Sequence, residues 1–498
     1  MFEPLTELEP GMAIVYGGDR ITRVDDSLAR AFRKGDRLVV VQETGDLLHI
    51  PEDDWLLATR AIDSAYAAFS KMGSVPQDQL SAFFNRFADN LGDDEVFEQI
   101  LSANRGDVER ATARGRSTTR LLLTEPMRRG MIEGLRAWVG NDVGRNLVIE
   151  TVTHDGWVLE QIRSGLGVVG FVFEGRPNVF ADATGVLAAG NTVVFRIGSD
   201  ALDTARAIMD LALAPALAES GLPDGAVVMI DTPSRAAGWA MFSDSRLSLA
   251  VARGSGTAVA QLGAVARQSG VPVSLHGTGG AWIVAGSTAD AAAFGSAVLN
   301  SLDRKVCNSV NAVCIVESRT DLIPVFLDAL DQAGTRLGTV SKLHVTESAL
   351  AAIPESWMQP AEIFRAVGPV TEPRTELIGD DELGVEWEWE QSPEVSLTLV
   401  PDVDAAIELF NTQSPRLAAS LISEDEGEHQ RFFDRIDAPF VGNGFTRWVD
   451  GQFALDRPEL GLSNWEHGRL LGRSGILSGD SVYTVRTRAT QSDPDLHR

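Results

Sequence analysis

Cys307 is the residue of this chain best suited to act as a nucleophile. It stands in a polar stretch next to two cations, Arg304 and Lys305, and nearby positive charge stabilises the thiolate form of cysteine, which is the nucleophilic form. A β-branched run at residues 312–317 predicts a buried strand just after this stretch. The second cysteine, Cys314, lies within that run, and we interpret it as a small core residue. The same core interpretation stays open for Cys307 considered by itself.

Two further segments suit the binding of negative charge. In Glu174-Gly-Arg-Pro-Asn178 an amide side chain follows an apolar run, and Pro177 fixes the chain just before it. An amide held at the carboxyl end of a strand can stabilise an oxyanion, although a simple turn fits the same pattern. Gly254-Ser-Gly256 resembles the start of a dinucleotide fingerprint but lacks the third glycine. Its backbone amides are candidates for phosphate contacts, and a tight strand-to-helix turn is the alternative.

The composition limits the partners and the compartment that we expect. A net charge of −27 over 498 residues repels nucleic acids and anionic membranes, whereas a small anionic substrate responds to local charge. Two cysteines form no disulfide framework, and the paired Cys and His spacings of zinc sites are missing. The acidic N-terminus has no signal-peptide pattern, and no uncharged apolar run reaches membrane-spanning length. We therefore expect a cytoplasmic protein with a small-molecule substrate and no metal, membrane or nucleic acid partner.

The N-terminal part of the chain has two different residue patterns. Residues 35–50 predict two short strands around a Glu-Thr-Gly turn, within an N-terminal extension at residues 1–60. We predict that deletion of this extension leaves a folded enzyme. Its role is that of a solubilising or subunit-contact appendage, with partner docking as the alternative. From residue 61 to about residue 139 apolar residues recur at helical steps.

The rest of the chain alternates between strands and helices. After Gly165, continuous apolar runs are separated by amphipathic stretches such as the helix predicted for residues 200–220, which indicates a doubly wound parallel sheet. A second alternating block at residues 271–438 contains Cys307. Within it, residues 337–393 are rich in acids and tryptophan and give no assignable pattern. The block after residue 441 is rich in glycine and polar residues, which predicts loops rather than core.

These segments together resemble the gamma-glutamyl phosphate reductases of the aldehyde dehydrogenase superfamily, over residues 61–484. The resemblance rests on an ordered set of motifs: Ala103-Asn104, Leu121-Leu-Leu-Thr124, Gly167-Val-Val-Gly-Phe-Val-Phe-Glu-Gly-Arg-Pro-Asn178, Gly190-Asn-Thr-Val-Val-Phe-Arg196, Val271-Pro-Val273 with His276, Val306-Cys-Asn308, Gly451-Gln-Phe453 and Glu459-Leu-Gly-Leu-Ser463.

The resemblance implies a fold and an organisation of the chain. The implied fold is α/β and aldehyde-dehydrogenase-like, with two doubly wound parallel-sheet domains and an oligomerisation element that makes a homo-oligomer. The implied regions are the N-terminal extension (1–60), a cofactor-binding domain (61–270), a catalytic domain with Cys307 (271–438), and a segment that returns to the cofactor domain and carries the oligomerisation element (439–498).

The resemblance also implies roles for single residues. Cys307 becomes the nucleophile and Asn178 an oxyanion donor. The residues implied at the NADPH site are Arg196, Gly198, Ser199, Gly254 and Ser255. Those implied at the substrate are Glu174, Arg176, His276, Asn308, Ser463 and Arg469, with Glu459 and His467 near them.

The implied reaction is the NADPH-dependent reduction of an acyl phosphate to a semialdehyde through a cysteinyl thioester, as in proline biosynthesis. Aldehyde dehydrogenases that make free acids need a carboxylate base, and between residues 247 and 300 the only carboxylate is Asp290. We assign Asp290 to a helix N-terminus, where the helix dipole favours an acid. We therefore predict that the thioester reacts with phosphate rather than with water.

Departures from the family motifs concern the substrate. Phe173 and Phe180 flank the Arg-Pro-Asn motif where the family has tyrosine and threonine, and residues 300–305 replace its Lys-Thr-Gln-Arg-Pro. The reaction type therefore carries over better than the substrate. The alternatives are an aldehyde-oxidising dehydrogenase, a reductase of another acyl phosphate or carrier-bound acyl group that docks its kinase or carrier on residues 1–60, and a non-enzymatic scaffold.

Overall fold

Two parallel β-sheets with helices on both faces form the body of the chain. The computed structural model describes residues 4–116, 118, 120–140, 143–365, 367–463 and 475–495. Within these residues the first sheet has five strands and the second has seven. Alternate residues of each sheet enter different hydrophobic clusters, so both faces are buried. The predicted architecture of two doubly wound parallel sheets is confirmed.

Two antiparallel hairpins and a short helix open the chain. The elements are β1 (Ala13–Tyr16), β2 (Arg20–Arg23), α1 (Asp26–Ala31), β3 (Arg37–Val40) and β4 (Leu47–Ile50). The predicted hairpin around the Glu-Thr-Gly turn is therefore confirmed as β3 and β4. Gly45 in this turn has φ +82°, and the ring of Tyr16 lies where a Cβ would stand, so only glycine fits.

Four helices follow: α2 (Glu52–Met72), α3 (Gln77–Gly92), α4 (Asp94–Ala113) and α5 (Glu125–Ala137). The boundary predicted at residue 60 falls inside α2. Ala58 and Ile62 of α2 share one buried cluster with Val41 and Leu48 of the hairpin and with Val172 of the first sheet. This packing argues against the removal of residues 1–60 without loss of stability, because the hairpin covers part of the sheet.

An antiparallel hairpin, β5 (Val148–His154) and β6 (Trp157–Gly165), leads into the first sheet. The strands of that sheet and the helices that connect them are, in chain order, β7 (Val168–Phe173), α6 (Val179–Thr184), β8 (Thr192–Ile197), α7 (Leu202–Ile208), α8 (Ala214–Ser220), β9 (Val227–Met229), α9 (Ala236–Phe242), β10 (Leu247–Arg253), α10 (Gly256–Gln268) and β11 (Val273–His276). Its strand order is β11-β10-β7-β8-β9, all parallel. The helix predicted for residues 200–220 is interrupted by a π-helical turn, Met209–Leu213, because Pro215 has no N–H to donate within the helix.

The second sheet carries the cysteine turn and has the strand order β17-β14-β18-β13-β12-β19-β20. Its elements are β12 (Ala281–Ala285), α11 (Ala291–Asn300), β13 (Val310–Val316), α12 (Ile323–Arg336), β14 (Lys342–Val345), α13 (Glu347–Leu350), the hairpin β15 (Pro360–Arg365) and β16 (Gly368–Pro373), β17 (Thr375–Leu377), β18 (Glu394–Val400), α14 (Val403–Gln413), β19 (Ala418–Ile422), α15 (Glu426–Arg435) and β20 (Phe440–Gly442). Cys314 is fully buried in β13, as predicted. Asp290 caps α11 by accepting a 2.8 Å hydrogen bond from the Ala293 amide, which confirms its predicted place.

The C-terminal block corrects one prediction. It contains α16 (Gly451–Leu455), β21 (Glu459–Leu462), β22 (Ile476–Ser478) and β23 (Tyr483–Gln491). Leu460 and Leu477 are fully buried in the core of the first sheet, so this block is not made of surface loops. Its glycines hide the strands from sequence analysis, because the strands are short and glycine-flanked. β23 runs back to pair antiparallel with β6.

Of the helices that the structure describes, none has the length and apolar character needed to cross a lipid bilayer. The described residues also contain no cluster of three or more His, Cys, Asp or Glu side chains arranged to hold a metal ion.

Candidate active site

A cleft of about 1220 Å³ opens at the carboxyl ends of β7, β8, β10 and β11 and extends to the cysteine turn before β13. Parallel sheets present their binding sites at this edge, where the loops after the strands converge. Nine of the residues singled out in the sequence line this cleft: Glu174, Arg176, Arg196, Gly198, Ser199, Gly254, Ser255, His276 and Cys307. The cleft therefore brings together the candidate nucleophile and the candidate phosphate-binding turn.

The cysteine turn is held by backbone contacts to the segment before β12. The Gly280 amide donates to the Cys307 carbonyl at 2.7 Å, and a Cβ at Gly279 would lie only 2.5 Å from the Cys307 Cα. On the other side, the Ser309 hydroxyl donates to the Arg304 carbonyl at 2.6 Å. Glycine is thus required at position 279, and the turn is fixed from two sides.

The charges near the thiol differ from those expected. Burial raises the pKa of the Cys307 thiol above its usual value, Glu459 and Glu386 also raise it, and Arg176 and Arg253 lower it. Lys305, expected to favour the thiolate, instead forms a 2.6 Å ion pair with Glu386. The cations that lower the pKa of the thiol are not its neighbours in the sequence. They are Arg176, just after β7, and Arg253, at the end of β10.

Of the residues implied at the site, three do not line the cleft and a fourth lies outside the described residues. Among the described residues that line the cleft, Asn178, Asn308 and Ser463 do not appear. The Asn308 amide is buried and donates to the Val449 carbonyl at 2.5 Å, so it ties the cysteine turn to the C-terminal block. Ser463 is buried, with its amide bonded to the Gly475 carbonyl at 2.8 Å. Arg469, like His467, lies outside the described residues.

Asn178 stands at the start of α6, beside a buried carboxyl group. Its side-chain amide donates to Asp182 at 3.2 Å. Burial raises the pKa of Asp182 to about 7, with Glu459 adding to the rise and Arg253 and Arg176 opposing it. Asp182 is not apparent in the sequence as a site residue, because its place is set by one turn of helix after Asn178.

His276 is neutral in this site. Its Nδ1 accepts a hydrogen bond of 3.1 Å from the Leu462 amide, which leaves the ring proton on Nε2. Burial, reinforced by Arg253, Arg176 and Arg120, holds the pKa of His276 well below its usual value. A neutral ring fixed by a backbone amide is suited to orienting a substrate and is poorly suited to carrying a positive charge.

A group of arginines gives the cleft a positive wall in a strongly acidic protein. Arg116, Arg120, Arg176 and Arg253 line it. Arg116 pairs with Asp200, Arg120 lies 3.5 Å from Glu388, and Arg253 lies 3.2 Å from Glu459. For Arg176 the described residues supply no carboxylate within ion-pair distance. Burial and the other arginines lower the pKa of Arg176 to about 10, as expected of a cation placed to receive an anion.

The turn at the start of α10 fits a dinucleotide phosphate. Ser255 occupies the N-cap position of the helix without a side-chain capping bond. A Cβ on Gly254 or Gly256 would lie 2.6 Å from the Glu174 carboxyl carbon or the Thr278 hydroxyl oxygen, respectively. Such a turn lets a ligand approach the backbone amides closely. The carboxylate of Glu174, which the resemblance implies at the substrate, accepts from the Ser255 amide at 2.9 Å and so lies beside the turn predicted for the phosphates.

The neighbouring strand end holds the remaining cofactor candidates. The Arg196 guanidinium donates to the carbonyls of Ser234 and Pro233 at 3.2 and 3.1 Å, and burial lowers its pKa. The Gly198 amide donates to the Phe173 carbonyl at 2.8 Å. These contacts fix the ends of β7, β8 and the loop after β9 side by side along the cleft.

Sequence analysis missed Glu386, the carboxylate that lies against the cysteine turn. Its segment was not assigned, and residues 386, 388, 389 and 390 all line the cleft. Glu386 accepts from the Gly279 amide as well as from Lys305. No periodicity marks this segment, so only the three-dimensional packing reveals it.

Comparison with known proteins places these features in a family. The aldehyde dehydrogenase family model matches residues 43–342, and the chain belongs to the aldehyde dehydrogenase family. Its relatives narrow this further. It is 30% identical over 379 residues to the gamma-glutamyl phosphate reductase of Allorhizobium ampelinum, covering 73% of this chain and 81% of the relative. It is 28% identical to that of Thermotoga petrophila, covering 74% and 84%. The resemblance to gamma-glutamyl phosphate reductases is thereby confirmed.

Solved structures agree on the fold. The gamma-glutamyl phosphate reductase of Thermotoga maritima superposes with a TM-score of 0.74 at 24% identity, covering 89% of this chain and 100% of that one. The propionaldehyde dehydrogenase of Rhodopseudomonas palustris, solved with bound propionyl-CoA, has a TM-score of 0.62 at 16% identity, covering 87% and 94%.

Proposed function

We propose that the protein reduces an acyl phosphate, gamma-glutamyl phosphate or a close analogue, to the semialdehyde with NADPH. The observation that carries this proposal is the position of Arg176. Its half-buried side chain shares the cleft with Cys307, and the thiol and the guanidinium influence each other's pKa. An acyl phosphate brings an anion and an electrophilic carbon to these two groups together.

The first chemical step follows from the state of the thiol. Because its pKa is raised, the thiol must lose its proton as it attacks the acyl carbon, and the departing phosphate takes that proton and leaves as HPO4²⁻. The attack forms the S–C bond, the C–O bond to phosphate breaks, and phosphate leaves with that electron pair. Arg176 and Arg253 favour both the thiolate and the departing phosphate. The product on the enzyme is a thioester at Cys307.

The second step is reduction of the thioester carbonyl. The nicotinamide nucleotide supplies a hydride when it is bound, with its phosphates at the Gly254–Gly256 turn. The oxyanion that forms would be held by the Cys307 amide and the Asn178 side chain. For this the Asn178 amide must face the thioester, and its bond to Asp182 sets its orientation. Collapse of the hemithioacetal returns the thiol and releases the semialdehyde.

Two carboxylates near the thiol have partners that oppose their action as bases toward water, although burial raises the pKa of Glu459 above its usual value. Glu386 accepts from the Lys305 ammonium and the Gly279 amide. Glu459 accepts from the Arg253 guanidinium at 3.2 Å and from the Gly451 amide at 2.9 Å. A carboxylate that stabilises fixed donors loses those bonds when it takes a proton. The preference for phosphate over water therefore rests on these bonds, and not on an absence of carboxylates.

The test is NADPH oxidation with acyl phosphates of different acyl groups, glutamyl and aspartyl among them. We expect one equivalent of phosphate per NADPH, and a fall of kcat/KM of at least 100-fold in Arg176→Met with the NADPH dissociation constant unchanged. The control is Arg105→Met, an exposed arginine on α4 paired with Glu98, which we expect to match the parent. Failure of every acyl phosphate to consume NADPH would refute the proposal.

We further propose that β5, β6 and β23 form a subunit contact and that the protein is a cytoplasmic homo-oligomer. Apolar side chains are exposed on this small sheet and beside it, at Leu147, Ile149 and Val485. Exposed apolar patches of this kind mark protein–protein contacts.

The reaction that supplies the substrate must phosphorylate a carboxylate, and so is catalysed by a kinase.

A further inference from the structure

The turn of the β3–β4 hairpin reaches into the cleft. Val41, Glu43, Thr44 and Asp46 of this turn line the cleft together with the cofactor loops. We propose that the turn at residues 41–46, the hairpin turn, is a wall of the nucleotide site and contacts the adenosine half of the dinucleotide. This inference rests on the proposed function, because it requires a nicotinamide dinucleotide in this cleft.

The position of the turn along α10 decides which half of the nucleotide it meets. The start of α10 adjoins the cysteine side of the cleft, because Gly256 packs on Thr278, next to Gly279. Ala264, the last residue of α10 in the cleft lining, lies about 12 Å further along the helix at roughly 1.5 Å per residue. The nicotinamide must lie at Cys307 to deliver a hydride, and the phosphates suit the start of α10. The adenosine then lies toward the far part of α10.

The hairpin turn is fixed to that far part of α10 by side chains of the helix. The Gln268 side chain bonds to the hairpin twice, accepting from the Gln42 amide at 3.0 Å and donating to the Val40 carbonyl at 2.9 Å. The Gln261 amide donates to the Asp46 carboxylate at 3.0 Å. The turn is thus held over the helix before any ligand arrives, which lowers the entropy cost of binding.

The chemistry of this corner suits a purine. Ala260 is exposed and offers apolar surface for a flat face of the ring, Val41 and Ala264 lie largely buried in the same lining, and the exposed Thr44 and Asp46 stand at its rim. Nucleotide pockets combine apolar walls with a few polar groups in this way. Carboxylates accept hydrogen bonds from the adenine amino group, and they repel phosphate. The acidic turn therefore faces the adenine ring, and not the pyrophosphate or the 2′-phosphate that NADPH carries on its adenosine ribose.

The experiment fills the corner with a bulky side chain. Thr44 is exposed, so Thr44→Trp leaves the buried core intact. Binding of NADPH and of reduced nicotinamide mononucleotide, which lacks the adenosine, is measured by fluorescence on the parent and the variant. We expect Thr44→Trp to weaken NADPH binding at least tenfold and to leave mononucleotide binding unchanged. Asp19→Trp, at the exposed turn of the β1–β2 hairpin, is the matched control and is expected to bind both as the parent does.

The outcomes separate this inference from the proposed function. Parent-like NADPH binding by Thr44→Trp overturns the inference alone, and so does an equal loss of NADPH and mononucleotide binding. A parent protein that binds no NADPH overturns the proposed function and the inference with it. In a third outcome the parent binds NADPH, Thr44→Trp selectively loses NADPH binding, and the parent reduces no acyl phosphate. This outcome supports the inference about the hairpin turn and refutes the proposed reaction.

Discussion

The thiol of Cys307 is balanced between opposing charges that come from distant parts of the chain. Two carboxylates, Glu386 and Glu459, raise its pKa, and two arginines, Arg176 and Arg253, lower it. Burial and the two carboxylates prevail over the arginines, and the pKa of the thiol is raised. A reactive cysteine kept in the protonated form is protected from oxidation.

The first prediction separates the two cysteines. Cys307→Ala removes the nucleophile, so turnover should fall below detection while the NADPH dissociation constant and the melting temperature stay close to those of the parent. Cys314→Ala should keep the activity and lower the melting temperature, because it leaves a void in the fully buried strand β13. More than a trace of activity in Cys307→Ala would contradict covalent catalysis at this position.

The second prediction concerns the buried carboxyl group of Asp182. Its pKa is about 7 in the folded protein and 3.8 in the unfolded reference, so between these values the folded state holds a proton that the unfolded state has lost. This contribution to the free energy of unfolding is present at acidic pH and falls by about 1.4 kcal/mol per pH unit as the pH rises through that window. Asp182→Asn cannot ionise and lacks this fall.

Melting temperatures at pH 5 and pH 8 test it. Relative to the parent, Asp182→Asn should be more stable at pH 8 than at pH 5. The control, Asp19→Asn at an exposed turn, should differ from the parent by the same amount at both pH values. An equal difference at both pH values for Asp182→Asn would mean that Asp182 ionises at its usual pH.

At the scale of elements, the start of α10 is the proposed site of the nucleotide phosphates. The helix presents its first amides to the cleft, and the Glu174 carboxylate bonds to the Ser255 amide at 2.9 Å. A carboxylate here satisfies the positive end of the helix in the absence of ligand. A bound pyrophosphate would require the same amide, so protein and ligand compete for one donor.

The third prediction follows from that competition. Glu174→Gln keeps an oxygen acceptor but loses the charge that repels the nucleotide, so we expect NADPH to bind up to about fivefold more tightly. The measurement is titration of the tryptophan fluorescence with NADPH at low salt. Glu125→Gln, in the first turn of α5 and not in the cleft lining, serves as the control with no expected change. Weaker binding by Glu174→Gln would show that the carboxylate helps to hold the nucleotide.

The fourth prediction concerns the carboxylates that β21 and the segment before β18 bring to the thiol. Because Glu459 and Glu386 are both bonded to fixed donors, the thioester should resist water. In the reverse direction the protein should oxidise its semialdehyde with NADP⁺ only when phosphate or arsenate is supplied. Glu386→Gln should preserve this dependence. Rapid oxidation to the free acid in phosphate-free buffer would favour the aldehyde-oxidising alternative.

The predictability of these elements follows their physical origin. The strand at residues 168–173 is evident in the sequence because burial on both faces requires a continuous apolar run. The hairpin around Gly45 is evident because only a few residues fit such a turn. Glu386 is not evident, since its approach to Lys305 depends on packing between segments 81 residues apart in the chain. Leu460 is hidden in a glycine-rich stretch whose burial is decided by the sheet it packs on.

At the scale of the whole molecule, the N-terminal extension is part of the structure of the first sheet. Val41, Leu48 and Ile50 pack in the same cluster as Val168 and Val172. Each fully buried aliphatic side chain contributes about 1.5–3 kcal/mol relative to exposure. The hairpin thereby serves the fold as well as the cleft.

The fifth prediction compares two deletions. Removal of residues 1–60 also removes the start of α2, and should give an insoluble protein or a melting temperature at least 10 °C below that of the parent, since several kcal/mol of burial is lost. Removal of residues 1–24 spares β3, β4 and α2 and should leave a folded, NADPH-binding protein. Equal stability of the two deletion variants would mean that the hairpin does not support the sheet.

The pairing of β23 with β6 has a consequence for synthesis of the chain. Tyr483 pairs with Gly165 and Gln491 with Trp157, so the partner of β6 is made about 320 residues after it. At roughly 10 residues per second a ribosome needs on the order of half a minute for that length, and during this time β6 has one unpaired edge. Open edges recruit other nascent chains, and charged side chains deter them. The charged side chains of Glu160 and Arg163 on β6 oppose such association until the end of the chain is released and β23 pairs with β6.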